Sequence, residues 1–197
     1  MRGRDIKRYS YEFANIYLIN THNGYIDSHG NQVDRIDVNN YPAIKRHLDK
    51  YWDKIEKRYD QGETPYNLRN CAYMEDFNRQ KIAWNRIASE KQYSLIDEGI
   101  YIQDSMHFIT GKKLEYLCAI LNSSLFSWLM NLIVGKAAGG NAGNSDNIRD
   151  LYVFKPEMNL EIEIIDLLNS KQFKHIDKVI FKVYQLNEYE ISIIENL

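Results

Sequence analysis

The stretch KIAWNRIASEKQYSLIDEGIYIQDSMHFIT, Lys81–Thr110, alternates short β-rich runs with turn residues. Lys81–Ala88 and Gln92–Ile96 have the β-branched and aromatic content of strands, Gly99 breaks the chain, and Ile100–Gln103 and Ser105–Thr110 resume it. Strands so close in sequence predict a mostly antiparallel sheet. The period then changes. In KKLEYLCAILNSSLFSWLMNLIV, Lys112–Val134, the residues Leu114, Leu117, Cys118, Leu121, Leu125, Trp128, Leu129 and Leu132 recur at helical steps. One long core helix laid on the sheet is the expectation. The fold class is therefore α+β: a mixed, mostly antiparallel sheet packed with a long core helix, followed by a short helical C-terminal tail.

No charge falls between Glu115 and Lys136, so that helix has the length of a membrane span. Asn122, Ser123, Ser124, Ser127 and Asn131 interrupt its apolar run, and no second candidate exists, so no membrane is expected. Downstream, GKAAGGNAGNSDN (Gly135–Asn147) reads as a flexible loop and Leu151–Phe154 as a short strand before Pro156. Leu160–Asn169, His175–Gln185 and Glu188–Glu195 read as short helices, the last opened by Asn187 and Glu190 in the form of a capping box. Upstream, NIYLIN (Asn15–Asn20) reads as a strand and polar Tyr25–Val38 as a long loop. From Pro42, the residues Ile44, Leu48, Tyr51, Ile55 and Tyr59 predict an amphipathic helix of about five turns ending before Gly62. Thr64–Asn78, with Pro65, reads as loop or turn. The expected organisation is a domain over residues 1–156 and a helical tail over 157–197.

With 197 residues, 44% hydrophobic and 26% charged, the chain suits one globular domain, or one with a small appendage. Cys71 and Cys118 stand far apart with no metal-ligand spacing, which predicts neither a disulfide framework nor a zinc site and favours the cytoplasm. Met1–Ser10 is charged rather than apolar, unlike a signal peptide. The net charge of −2 makes no global case for nucleic acid, but its distribution is uneven. Residues 1–92 hold 16 Lys and Arg against 13 Asp and Glu; residues 93–197 hold 9 against 14. Arg2, Arg4, Lys7 and Arg8 crowd the first ten positions against Asp5 alone, a segment able to neutralise a few phosphates.

Catalytic patterns do not emerge. Gly139, Gly140 and Gly143 follow a helix and lack GK[ST], so they do not read as a phosphate cradle. Asp104 and His107 are three apart in an expected strand and point to opposite faces. His22, His29, His47, His107 and His175 show no metal spacing, no serine sits in GxSxG, and Asp5-Ile6-Lys7 is an isolated DxK.

Four stretches carry a family resemblance: RGRDIKRY (Arg2–Tyr9) with NIYLIN and THNG, YPAIKRHLD (Tyr41–Asp49), TPYNLRNCAYMEDF (Thr64–Phe77) leading into KIAWNRIA, and LNSSLFSW within Lys113–Trp128. The tail IDKVIFKVYQLNEYEISIIE adds to it. The chain resembles, end to end, the TaqI-like C-terminal specificity domain of type IIG restriction–modification enzymes and related adenine methyltransferases. The resemblance implies sequence-specific recognition of double-stranded DNA, with no catalytic centre in this chain. A methyltransferase domain carrying [ND]PP[YF], and often a nuclease domain, would be its partners on the parent enzyme. S-adenosylmethionine and magnesium would belong to those domains, and no cofactor to this one. The chain begins where such a recognition domain begins, and reads as that domain apart from its catalytic half.

For DNA contact, Arg2, Arg4, Lys7 and Arg8 are candidates, against a solvated strand edge or an internal Asp5–Arg8 pair. Arg69 and Asn70 of NLRN are planar and polydentate, with Arg69 read as structural or phosphate-bound ahead of base-reading. Arg86 beside Asn85, and the loops His22–Arg35 and Lys136–Arg149, supply Asn23, Asn31, Gln32, Arg35, Lys136, Asn141, Asn144 and Asn147, whose chemistry suits base edges. Both loops read equally as surface linkage. The alternative from another class is a protein-interaction module, docking the catalytic domain or another subunit through Ile176, Val179, Ile180, Val183 and Tyr184.

Overall fold

Lys81–Asn85 is the central strand because both of its faces are buried. It pairs antiparallel with Ser94–Ile96 on one side and Met106–Ile109 on the other, with Ile82 opposite Leu95 and Ile109. Alternate side chains point to opposite faces. Ile82 and Trp84 join the larger core with Tyr93, Leu121 and Phe126. Ala83 joins a smaller cluster with Ile6, Ile96 and Met106. The computed structural model describes residues 1–88, 92–133, 136–137, 140–142, 148–149 and 151–196. They form two units, Met1–Asn15 with Arg79–Leu197, and Ile16–Asn78. Helices and small antiparallel sheets give the expected α+β class.

In the first unit, the hairpin Ile6–Lys7 and Ser10–Tyr11 lies on the strand Ser94–Ile96, whose Ser94 hydroxyl donates to the Lys7 and Ser10 carbonyls. The expected single core helix is two, Leu114–Leu121 and Ser124–Ile133, bent by 65°. The break has a physical cause. Buried Asn122 turns its amide to the strand side, accepting from Tyr93 N at 3.0 Å and donating to Tyr93 O at 2.7 Å and Cys118 O at 2.9 Å. The second helix then starts afresh, its Ser124 N–H and hydroxyl both donating to Asp177 at 2.8 Å. No single described helix is long and apolar enough to cross a membrane.

The tail helices Met158–Asn169, Phe173–Val183 and Glu188–Glu195 place Ile164, Ile176, Ile180, Phe181 and Ile194 in the larger core. Asn187 and Glu190 form the reciprocal capping box. Residues 151–154 are not a strand; their polar groups go to side chains instead, Phe154 N donating to the Tyr184 hydroxyl and Phe154 O accepting from Tyr116. Residues 100–103 form no strand either, although Ile100 and Ile102 pack on the smaller cluster. Part of the expected flexible loop is ordered into a sheet: Gly140–Ala142 lies between Ile87–Ala88 and Lys136–Ala137. Residues 135, 138–139 and 143–147 of that stretch lie outside the described residues.

In the second unit, the expected polar loop contains a hairpin, Tyr25–Ile26 with Gln32–Val33. Its turn is built by Asp27, whose Oδ1 accepts from His29 N at 2.9 Å and Asn31 N at 2.8 Å, with Gly30 at φ +84°. The expected long helix is two pieces, Pro42–Asp49 and Trp52–Ile55. Trp52 leans on the Tyr66 ring, 5.1 Å between centroids, and the Tyr66 hydroxyl donates to Asp49 at 2.5 Å across the break. Residues 15–20 are not a strand, since no neighbouring strand pairs with them among the described residues, and Ile16, Tyr17, Leu18 and Ile19 are exposed. High β-propensity makes a strand only beside another one.

Candidate nucleic-acid interface

The basic N-terminal segment divides into anchored and exposed cations. Asp5 is buried and takes Arg2 in a two-pronged pair, Nε to Oδ2 at 3.1 Å and NH2 to Oδ1 at 3.0 Å. The Arg2 guanidinium holds the Asp5 carboxyl below its usual range. Arg8 does not pair with Asp5. It donates Nε at 3.1 Å and NH2 at 2.6 Å to the Asn122 carbonyl and lies over the Tyr9 ring, which stacks on Phe173 at 4.3 Å. Arg8 thus ties the N-terminal hairpin to the helix break and, through Tyr9, to the tail. Arg4 and Lys7 are exposed, Lys7 standing 3.9 Å from Glu12.

Arg86 is exposed and directly precedes the small sheet. In that sheet Asn141 is in register with Ala88 on one side and Lys136 on the other. The fold therefore brings the backbone of these candidates from both stretches together. Asn144 and Asn147 lie outside the described residues.

The second unit gathers another set. Arg35 pairs with Glu63 at 3.1 Å, Glu63 N donates to Asn23 Oδ1 at 2.7 Å, and Asn23 Nδ2 donates to Asn70 Oδ1 at 2.6 Å. A polar cleft lined by Asn23, Gln32, Asp34, Arg35, Asp37 and Glu63 opens beside them. Arg69 and Asn70 are exposed. Asn31 and Gln32 bond within the hairpin, to Asp27 and to the Val33 carbonyl.

What organises this set is Asn67, which sequence reading passed over. It is fully buried; Nδ2 donates to Ile36 O at 2.9 Å, Oδ1 accepts from the Thr64 hydroxyl at 2.6 Å, and its carbonyl accepts from Arg58 and Gly62. The signal was an amide within a Pro-containing turn, a residue type that satisfies backbone groups where no regular structure does.

Lys81 is another buried polar group. Its Nζ donates to the Asp97 carbonyl at 3.1 Å, and burial lowers its pKa from 10.5 to about 8. Between those values the unfolded chain binds more protons than the folded one, so this residue makes folding more favourable as pH rises. Lys81→Met is expected to remove this contribution, making Tm rise less, or fall more, than in the wild type between about pH 8 and 10.5. An unaltered pH slope in the variant would contradict that assignment.

The exposed cations Arg4, Lys7 and Arg86 belong to the first unit, and the interlocked amides of Asn23 and Asn70, with exposed Arg69, to the second. Among the described residues, no group of three or more His, Cys, Asp or Glu is placed to hold a metal ion. The chain belongs to the TaqI-like C-terminal specificity domain family, which matches residues 1–140. The family gives it a non-catalytic, DNA-recognition role in restriction–modification. No curated protein matches the chain.

Proposed function

We propose that this chain recognises a specific duplex DNA sequence and positions it for an adenine methyltransferase domain, and for a nuclease domain where the parent enzyme has one. The family match over residues 1–140 is the observation that carries this reading. Adenine methylation requires the base to leave the stack, and a second surface must then hold the duplex. S-adenosylmethionine and magnesium belong to the catalytic domains. Arg4, Lys7, Arg69 and Arg86 supply exposed positive charge for phosphates, and Arg2 and Arg8 shape the segment that carries two of them. Asn23, Arg35, Asn70, Lys136, Asn141 and Asn144 supply base-reading chemistry.

Fluorescence anisotropy with the isolated chain and labelled duplex tests this. Weak binding at low salt that falls steeply with added salt is expected. Joint reversal of Arg4 and Lys7 to Glu should weaken it about tenfold or more. The log–log salt slope should fall by about 2, one for each phosphate no longer neutralised. No duplex binding at low salt would contradict recognition by this chain.

A second reading, a docking module for the catalytic domain or another subunit, loses its expected residues Ile176 and Ile180, with Val179 and Tyr184 packed beside them, to this chain's own core, and draws instead on exposed Met158 and Ile162 in the helical tail. Self-association by light scattering, with fused-enzyme activity unchanged after reversal of Arg4 and Lys7, would favour it.

A further inference from the structure

Residues 157–197 hold eight acidic side chains and four basic ones, yet the four are lysines confined to residues 171–182. Three of them, Lys174, Lys178 and Lys182, recur at four-residue steps on the helix Phe173–Val183. That spacing keeps them within about 80° of arc, on one face. Ile176, Ile180 and Phe181 are buried, and the exposed positions of the helix are these three lysines and His175. Its single acid, Asp177, is engaged by the Ser124 N–H and hydroxyl, both donating at 2.8 Å. Lys174, Lys178 and Lys182 make no hydrogen bond or ion pair among the described residues. The stripe is free positive charge that no carboxylate of its own helix answers.

The fold joins this stripe to the other end of the chain. Phe173, directly before Lys174, stacks on Tyr9 with the rings 4.3 Å apart and 10° from parallel, and the Arg8 guanidinium lies over the Tyr9 ring. Tyr9 sits in the turn of the N-terminal hairpin, between Ile6–Lys7 and Ser10–Tyr11. Exposed Lys7 and the lysine stripe thus flank one aromatic stack within the first unit. We infer that Lys174, Lys178 and Lys182 bind the phosphodiester backbone of duplex DNA, extending the phosphate contact of the N-terminal hairpin along the tail. From Lys174 to Lys182 the helix rises about 12 Å. Phosphates recur about every 3.4 Å of duplex axis on each strand, so each lysine reaches a separate one. The family match covers residues 1–140 and does not include this helix. The inference rests on reading the chain as a DNA-recognition domain. An acidic protein face would suit the same charge, but the stack that ties the stripe to Lys7 and Arg8 favours the ligand proposed for the hairpin.

Anisotropy titrations of labelled duplexes with the 197-residue chain, repeated across salt concentrations, provide the test. Joint Lys174→Gln, Lys178→Gln and Lys182→Gln substitution is expected to weaken binding about tenfold or more. The log–log salt slope should fall by about 2.7, or roughly 0.9 for each phosphate no longer neutralised. The loss should be the same for duplexes of different sequence, because phosphates carry no base identity. Arginine at the same three positions should keep both affinity and slope. Matching thermal melts for the variants confirm that the fold is retained. An unchanged affinity and slope in the glutamine variant overturns the inference and leaves DNA recognition standing; that is the result an acidic protein partner would give. Weakening without a change of slope, loss confined to certain sequences, or an arginine variant as weak as the glutamine one overturns it too. Failure of the wild-type chain to bind any duplex at low salt removes the DNA reading and this inference with it.

Discussion

Asn67→Ala is expected to lower the stability of the Ile16–Asn78 unit by roughly 3 kcal/mol and to abolish DNA recognition through it. The side chain is fully buried and satisfies the Ile36 carbonyl and the Thr64 hydroxyl, at 2.9 and 2.6 Å. Alanine leaves both without a partner, each at a cost of about 1–3 kcal/mol. The same amide lies 3.4 Å from the Thr21 and His22 carbonyls, directly before Asn23. Loosening residues 21–23 therefore releases the amide pair that orients Asn70. Asn67→Asp should not rescue, because a carboxylate has no N–H for Ile36 and adds a buried charge. Urea denaturation gives the free energy, and amide exchange in the Tyr25–Val33 hairpin reports local opening. A destabilisation below about 1 kcal/mol would contradict the hub role.

Asn122→Ala carries a cost of about 1–3 kcal/mol in the other unit. Its amide is the acceptor for buried Tyr93 N, which is left bare in the variant, and an added donor to the Tyr93 and Cys118 carbonyls, which keep the Tyr9 N–H and the Asn122 backbone N–H. Asn122→Asp recovers only the bond from Tyr93 N. Arg8 grips the Asn122 backbone carbonyl rather than its side chain, so the N-terminal hairpin keeps that tie. Destabilisation therefore exceeds that of Arg8→Ala, which removes a side chain that is already exposed. Equal destabilisation in the two variants, measured by thermal and urea denaturation, would contradict this ordering.

The sheet around KIAWN was legible because a strand buried on both faces reads as an apolar run, and the tail helices because their apolar stripes and the Asn187–Glu190 cap are local. The bend at Asn122 was not, because the leucine stripe keeps its period through the break while the cause is a distant backbone, that of Tyr93. The hairpin at Tyr25–Val33 hid in a polar stretch, since an aspartate side chain builds its turn. NIYLIN misled in the opposite direction: it has the composition of a strand and no partner strand among the described residues. The site was legible as residue types only. Arg2 and Arg8 look like Arg4 in sequence, yet one meets a buried carboxylate and the other a carbonyl, and carbonyls leave no trace in composition. Asn67 was overlooked beside Arg69 and Asn70 because burial, which separates a scaffold amide from an exposed one, is a tertiary property.

Transfer of specificity tests the central claim most directly. Residues 1–197 would replace the recognition domain of a related adenine methyltransferase, and methylated sites would be mapped across a host genome. Methylation is expected to move to a new sequence, the same one this chain enriches from randomised duplexes. Methylation that stays at the recipient's original sequence would contradict the account.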